Sequence, residues 1–261
     1  MTTPEPPQND FAKAVATGQA QNDAQAIFFI DFPADLAGAG QEKQARTQGS
    51  IRSWQAWSAV MAETKTQQNV DQGKLPADSG KGGFTRASYR AKVMDYLFRS
   101  STWFAKTFDQ GMSRHLRCPA RDLHGELKKT VLEGFAVPNS AYDALETPLQ
   151  TICDGLNASA SASDNDMMYW IMMTRYQWQP IIEDSEAYIR VISCKPSQSA
   201  KDVAANTDPN RGLDLDLQYS VYDADFNSKI FDKIREKFDQ RQIDLGLEYI
   251  KKNVTEIKIP A

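Results

Sequence analysis

The stretch Asp164–Pro180, DNDMMYWIMMTRYQWQP, is the most distinctive part of the chain, with four methionines and four aromatic residues. Its apolar run, Met167–Met173, is far shorter than the roughly 18 consecutive apolar residues of a membrane-spanning helix. Methionine favours helix, whereas tyrosine, tryptophan and isoleucine favour strand. The β-like segment Glu186–Cys194, EAYIRVISC, follows across the turn-forming residues PIIEDS. Because a strand would find its partner there, we favour an antiparallel hairpin, and a helix over Met167–Trp178 stays the alternative.

The rest of the chain divides into helical patterns before this hairpin and an alternating pattern after it. Apolar residues at spacings of three and four predict helices over 41–68, 85–117, 122–135 and 141–156. Apolar residues in alternation predict a strand at LDLDLQYSVY, Leu213–Tyr222, and AIFFIDF, Ala26–Phe32, is also β-like. Asn227 or Ser228 is expected to cap a C-terminal helix over 228–252.

These elements predict an α+β fold in which a mostly helical N-terminal two-thirds packs on a small antiparallel sheet and a C-terminal helix closes it. We expect a flexible tail with a short helix over residues 1–24. We expect one α+β domain over 25–261, with its helical part at 41–156, its sheet part at 167–223 and its C-terminal helix at 228–252.

Composition excludes several functional classes. The 261 residues are 41% hydrophobic and 25% charged, typical of a soluble globular protein, and the net charge of −4 is unlike that of a nucleic-acid-binding protein. The N-terminal MTTPEPPQND has no basic or apolar region of a classical signal peptide, so we expect cytoplasmic synthesis, with later release or membrane association left open. No catalytic motif or metal-ligand spacing is present, so we expect no metal, no cofactor and no clear enzymatic activity.

Cys194 is the residue that we single out for function. It ends the second strand of the predicted hairpin, and alternation places it on one face with Ile192. If that face lies against Trp170 and Met172, the four residues line an apolar pocket for a lipid or an acyl chain, because methionine adapts to irregular apolar ligands. The alternative is that all four are ordinary core, since a free buried cysteine usually acts as a small hydrophobic residue.

A second candidate is a basic surface. Lys92, Arg99 and Lys106 recur every seven residues within the predicted helix 85–117, opposite its apolar stripe. Such a face binds an anionic membrane or an acidic partner, although a solvated outer face carries the same pattern.

The late segment YIRVISCKP, Tyr188–Pro196, together with chain size and helices that precede a small sheet, resembles the Erwinia virulence factor family. The resemblance implies an α/β protein without an ordinary signal sequence, linked to insect-gut colonisation and to S-acylation of a cysteine. The resemblance also implies that Cys194 is the acylated residue. The fatty acyl group bound to it would be the one non-protein component.

We therefore expect a bacterial virulence or host-interaction protein with an apolar cavity, S-acylated and associated with a lipid surface. One alternative is a helical pore-forming toxin that rearranges to insert an amphipathic hairpin, with the Phe84–Cys118 helix and the methionine-rich stretch as the segments that move. Another is a cysteine-dependent enzyme that handles acyl groups. The host factor and the oligomeric state stay open.

Overall fold

The structure, a computed structural model, describes residues 23, 25–78, 81–119, 122–135, 145–146, 149–151, 168–196 and 212–254. Its helices are α1 (Ala39–Asp71), α2 (Lys81–Ser100), α3 (Leu123–Leu132) and α4 (Ser228–Val254). Its strands are β1 (Ile27–Phe32), β2 (Phe104–Pro119), β3 (Tyr169–Gln179), β4 (Asp184–Pro196) and β5 (Gly212–Phe226).

The strands form one five-stranded sheet in the order β1-β3-β4-β5-β2. β1 runs parallel to β3, and the other neighbours are antiparallel. The methionine-rich stretch is therefore the second strand of a mixed sheet. Its first six residues, Tyr169–Thr174, are all buried, because both faces of the sheet are covered here.

One face of the sheet packs against α1 and α2, and we call it the helix face. The ring of Trp170 lies 6.5 Å from that of Trp54 on α1 and 6.3 Å from that of Phe98 on α2. On β4, the Ser193 hydroxyl bonds the Asp95 carboxylate of α2 at 2.9 Å. These contacts join the sheet and the two helices into one aromatic core.

α4 extends this layer by packing on α1. The Asp232 carboxylate accepts hydrogen bonds from Arg46 at 2.6 Å and from Ser50 at 3.0 Å. The rings of Trp57 and Phe238 meet edge to face at 4.6 Å. The side-chain amide oxygen of Asn227 accepts from the Ile230 amide at 3.1 Å, which confirms the predicted cap of this helix.

The opposite face carries Cys194, and we call it the Cys194 face. The segment after α3 covers part of it. Gly134 has φ +72°, a left-handed conformation that favours glycine at the end of a helix. The turn brings Phe135 over the sheet, where its ring centre lies 5.0 Å from the guanidinium carbon of Arg190 and 5.7 Å from that of Arg175.

The α+β class and the β3–β4 hairpin are confirmed, as are the C-terminal helix and the strand at 27–32. The sheet is larger than expected and mixed, because β1 and β2 both join it. The tail predicted for residues 1–24 lies outside the described residues except for Asp23, and the helix predicted over 141–156 falls largely outside them too.

The single helix predicted over 85–117 is wrong. α2 ends at Ser100, and β2 pairs with β5 from Phe104 to Pro119. In the sequence Phe104, Phe108, Met112 and Leu116 recur at every fourth position. A spacing of four lies close to one helical turn and is also twice the strand period, so it fits either structure. In β2 itself the register shifts between Lys106 and Phe108, so Phe104 lies on the opposite face of the strand from Phe108. Pairing with β5 selects the strand.

Candidate functional site around Cys194

Cys194 lies near the end of β4, in the middle of the sheet. It is 6% exposed, and its neighbours in register are Tyr169 on β3 and Tyr219 on β5. Ile192, two residues earlier and 2% exposed, shares its face. Cys194 is therefore buried in the sheet, next to the first residue of the methionine-rich strand.

The environment of Cys194 holds it as a neutral thiol. Burial raises the pKa of this thiol to about 12, because a thiolate would lose its hydration here. A cysteine nucleophile needs a depressed pKa, usually from a nearby cation or a helix N-terminus. The geometry therefore opposes a cysteine-dependent enzyme that uses Cys194 as a ready nucleophile.

We expect the Cys194 thiol of unmodified, folded protein to resist iodoacetamide at pH 8, because a group with a pKa of about 12 is about 0.01% ionised there. In denaturant it should be labelled at the rate of an ordinary thiol. Peptide mass spectrometry after timed labelling measures both rates. Labelling of Cys194 in the folded protein as fast as in the unfolded protein would contradict the burial.

The other two residues proposed to line a pocket with Cys194 lie on the far side of the sheet. In the hairpin Tyr169 is opposite Cys194 and Trp170 is opposite Ser193. Trp170 and Met172 therefore belong to the helix face, where the Met172 sulfur lies 4.0 Å from the Gln55 amide of α1. Cys194 and Ile192 come together, but the sheet backbone separates them from Trp170 and Met172.

On β3, Ile171 and Met173, both 0% exposed, share the Cys194 face with Tyr169 and Arg175. Together with Ile192 they form an apolar stretch beside the cysteine. Leu127 and Val131 of α3, with Leu145 and Leu149, are buried in the same hydrophobic core. On its own face an acyl chain on Cys194 would lie beside Ile192, Ile171 and Met173, whereas Trp170 and Met172 are on the other side of the sheet.

Two arginines close the other end of this face, and sequence reasoning missed them. Arg190 forms a bidentate ion pair with Asp223, with both distances 2.7 Å, and donates to the Glu133 carbonyl. Arg175 stacks between the rings of Phe135 and Tyr188. A signal was available, since arginine within an apolar strand is rarely buried unless it is paired.

The predicted basic surface is not one helical face. Lys92 and Arg99 lie on α2, whereas Lys106 lies on β2, where its ammonium donates to the Arg99 carbonyl at 3.0 Å. Arg99 also pairs with Asp95 at 2.8 Å and stacks 4.1 Å above the Tyr222 ring. The charges stay close in space, but part of the charge of Arg99 is already neutralised.

Two kinds of site are not found within the described part of the chain. No group of three or more histidine, cysteine, aspartate or glutamate side chains there is placed to hold a metal ion. None of the helices in those ranges combines the length and apolar character needed to cross a bilayer.

Comparison with known proteins gives similarity of fold but not of sequence. No family model matches the chain, and no curated protein matches it in sequence. Two solved structures align at low scores: a delta-endotoxin (TM-score 0.36, 9% identity, 78% of this chain and 82% of that one) and the activated Cyt2Ba monomer from Bacillus thuringiensis subsp. israelensis (TM-score 0.33, 9% identity, 78% and 97%). The Evf virulence factor aligns with TM-score 0.51 and 12% identity over 90% of this chain and 89% of that one, so the two chains share a fold.

Proposed function

We propose that this chain is a bacterial virulence or host-interaction protein that carries an acyl group on Cys194. The observation that supports this proposal is the fold shared with the Evf virulence factor along nine-tenths of both chains. The resemblance drawn from chain size, from helices that precede a small sheet and from the segment Tyr188–Pro196 points to the same family.

Cys194 is the residue proposed for acylation because its surroundings suit a neutral, apolar adduct. A thioester carries no charge, so replacing the thiol by a thioester adds none to a buried site. Ile192, Ile171 and Met173 offer aliphatic contacts on the same face. Protein interiors are close-packed and have few voids. The acyl chain would therefore have to displace part of the layer that covers this face.

The proposed reaction is transfer from an acyl thioester donor. The Cys194 sulfur attacks the donor carbonyl, the bond to the donor sulfur breaks, and the thiol proton leaves with the donor thiolate. Only the thiolate attacks efficiently, and burial raises the pKa of this thiol to about 12. Transfer is therefore proposed to happen while the Cys194 face is still uncovered, before the covering layer packs on it.

Acylation at Cys194 predicts a defined mass change. The intact mass of protein from the producing bacterium should exceed the mass calculated from its sequence by one fatty acyl group. Hydroxylamine at neutral pH should remove this added mass, because it cleaves thioesters. Cys194→Ser should lack the increment, whereas Cys153→Ser, the matched control, should keep it. Unmodified protein from that source, or an increment that survives Cys194→Ser, would refute the assignment.

One acyl chain gives only marginal and reversible membrane binding, with an association constant of about 10⁴ M⁻¹. A chain buried along the sheet would contribute less than that until it is released. The proposal thus needs a second contact with the membrane, for which Lys92, Arg99 and Lys106 stay candidates.

The alternative of a toxin that inserts an amphipathic hairpin relied on two segments, and the first of them is not the single helix that was expected. The single helix from Phe84 to Cys118 is a helix to Ser100 followed by a strand from Phe104. Membrane insertion of α2 alone stays a proposal that dye release from liposomes tests.

A further inference from the structure

The tip of the β3–β4 hairpin displays two isoleucines to solvent. Pro180–Glu183 form the loop, in which Ile181 is 97% exposed and Ile182 is 58% exposed. Neither side chain contributes much to the core. Two adjacent aliphatic side chains at a protruding turn are a feature that folding alone does not require.

Contacts from α1 and across the neck of the hairpin hold the tip in place. The Lys43 ammonium donates to the Glu183 carbonyl and lies 5.6 Å from the centre of the Trp178 ring. Glu183 has φ +46°, a left-handed conformation that is uncommon for a residue other than glycine. The tip thus presents its isoleucines without further ordering, which lowers the entropic cost of binding.

The order of side chains along the hairpin matches the profile of a bilayer surface. The aliphatic pair is outermost, and the partly buried Trp178 and Tyr188 come next, with the Tyr188 hydroxyl bonded to Gln179 at 3.0 Å. Tryptophan and tyrosine concentrate at the headgroup level of membranes, below which aliphatic groups enter the hydrocarbon. A stable protein partner needs about 800 Å² on each side, far more than two isoleucines provide.

The charges around the tip select the type of lipid. Glu183, Asp184 and Glu186 surround the neck, whereas Lys43 is the nearby cation that contacts the loop. This acidic collar disfavours an anionic surface. We propose that Ile181 and Ile182 insert into the surface of a zwitterionic bilayer and anchor the protein there.

This inference rests on the proposed function, for which it supplies the second membrane contact, but it does not depend on acylation. It is therefore tested on full-length protein that has been treated with hydroxylamine and shown by intact mass to carry no acyl group. Flotation with phosphatidylcholine vesicles, alone or mixed with phosphatidylserine, measures the bound fraction.

Ile181→Ser/Ile182→Ser should reduce partitioning onto phosphatidylcholine about tenfold, because binding scales with the apolar area buried in the membrane. The matched control, Ile230→Ser/Ile243→Ser, removes two isoleucines that are 43% and 55% exposed on α4 and should stay within about twofold of wild type. Unfolding midpoints confirm that both variants fold, and Ile181→Ser alone serves if the double variant does not.

Three outcomes would overturn the anchor: no flotation of the wild-type protein, equal flotation of wild type and tip variant, or flotation only with phosphatidylserine present. A missing acyl group in protein from the bacterium would refute the proposed role of Cys194. It would not affect the flotation result for Ile181 and Ile182. The two proposals therefore fail separately.

Discussion

Trp170→Ala should lower the free energy of unfolding by about 3–5 kcal/mol, the range for removing a large aromatic side chain from a packed core. Trp170 is 0% exposed, and its ring packs against those of Phe29 at 5.9 Å, Phe98 at 6.3 Å and Trp54 at 6.5 Å. Its loss would leave a void where β1, β3, α1 and α2 meet. Urea unfolding followed by far-UV circular dichroism measures the change without relying on tryptophan fluorescence.

The same measurement shows whether Trp170 belongs to the packed core or lines a pocket. Trp178→Ala is the matched control on the same strand, and because Trp178 is partly exposed we expect a loss below about 1.5 kcal/mol. A loss at Trp170 as small as at Trp178 would mean that its ring is not enclosed by packed neighbours. The lipid role that the sequence suggested for Trp170 would then regain support.

Arg90→Ala should cost about 3 kcal/mol, because it breaks a buried ion-pair network and leaves its acidic partners short of positive charge. Arg90, with its side chain 7% exposed, bonds Asp23 at 2.7 Å and Glu63 of α1, and the Asp23 side chain is 4% exposed. Burial alone would lower the pKa of Arg90, but the hydrogen bonds and charges of Glu63 and Asp23 raise it above its usual value. The network ties Asp23, which precedes β1 in the chain, to α1 and α2.

Arg46→Ala provides the comparison for a surface pair. The Arg46 side chain is 73% exposed in its ion pair with Asp232, so its removal should cost less than about 1 kcal/mol. Equal effects at Arg46 and Arg90 in urea unfolding would show that the inner network contributes no more than a surface pair. Adding Glu63→Ala to Arg90→Ala should recover part of the loss, because the variant then lacks one of the unpaired acids.

The helices α1 and α4 and the strand β4 were predictable because their local signals agree. The residues of β3 instead combine helix-favouring methionines with strand-favouring aromatic residues. α1 and α4 carry apolar residues at helical spacing, and Asn227 is placed where a cap is needed. β4 is rich in β-branched residues and is separated from β3 by a turn sequence. In these segments propensity, period and turn chemistry all select the same structure.

The segment after α2 was not predictable in this way. Its apolar residues lie four apart, which satisfies a helix and a strand alike. The deciding interaction is with β5, roughly 90 to 120 residues further along the chain: Phe104 pairs with Phe226 and Pro119 with Gly212. No local pattern reports on a partner at that distance.

The methionine-rich stretch shows where sequence stops and tertiary structure begins. Strand alternation alone determines that Trp170 and Met172 share one face, and that Cys194 and Ile192 share one face. Which of these pairs points the same way depends on the hairpin register. The loop of four residues, Pro180–Glu183, places Tyr169 opposite Cys194. Even-numbered residues of β3 therefore lie on the same side of the sheet as odd-numbered residues of β4. If β3 were shifted by one residue relative to β4, the side chains of β3 would point to the other side of the sheet. Trp170 and Met172 would then share a face with Cys194 and Ile192. The sequence determined the strands and their buried character, and the register alone decided that the cysteine and the tryptophan lie on opposite faces of the sheet.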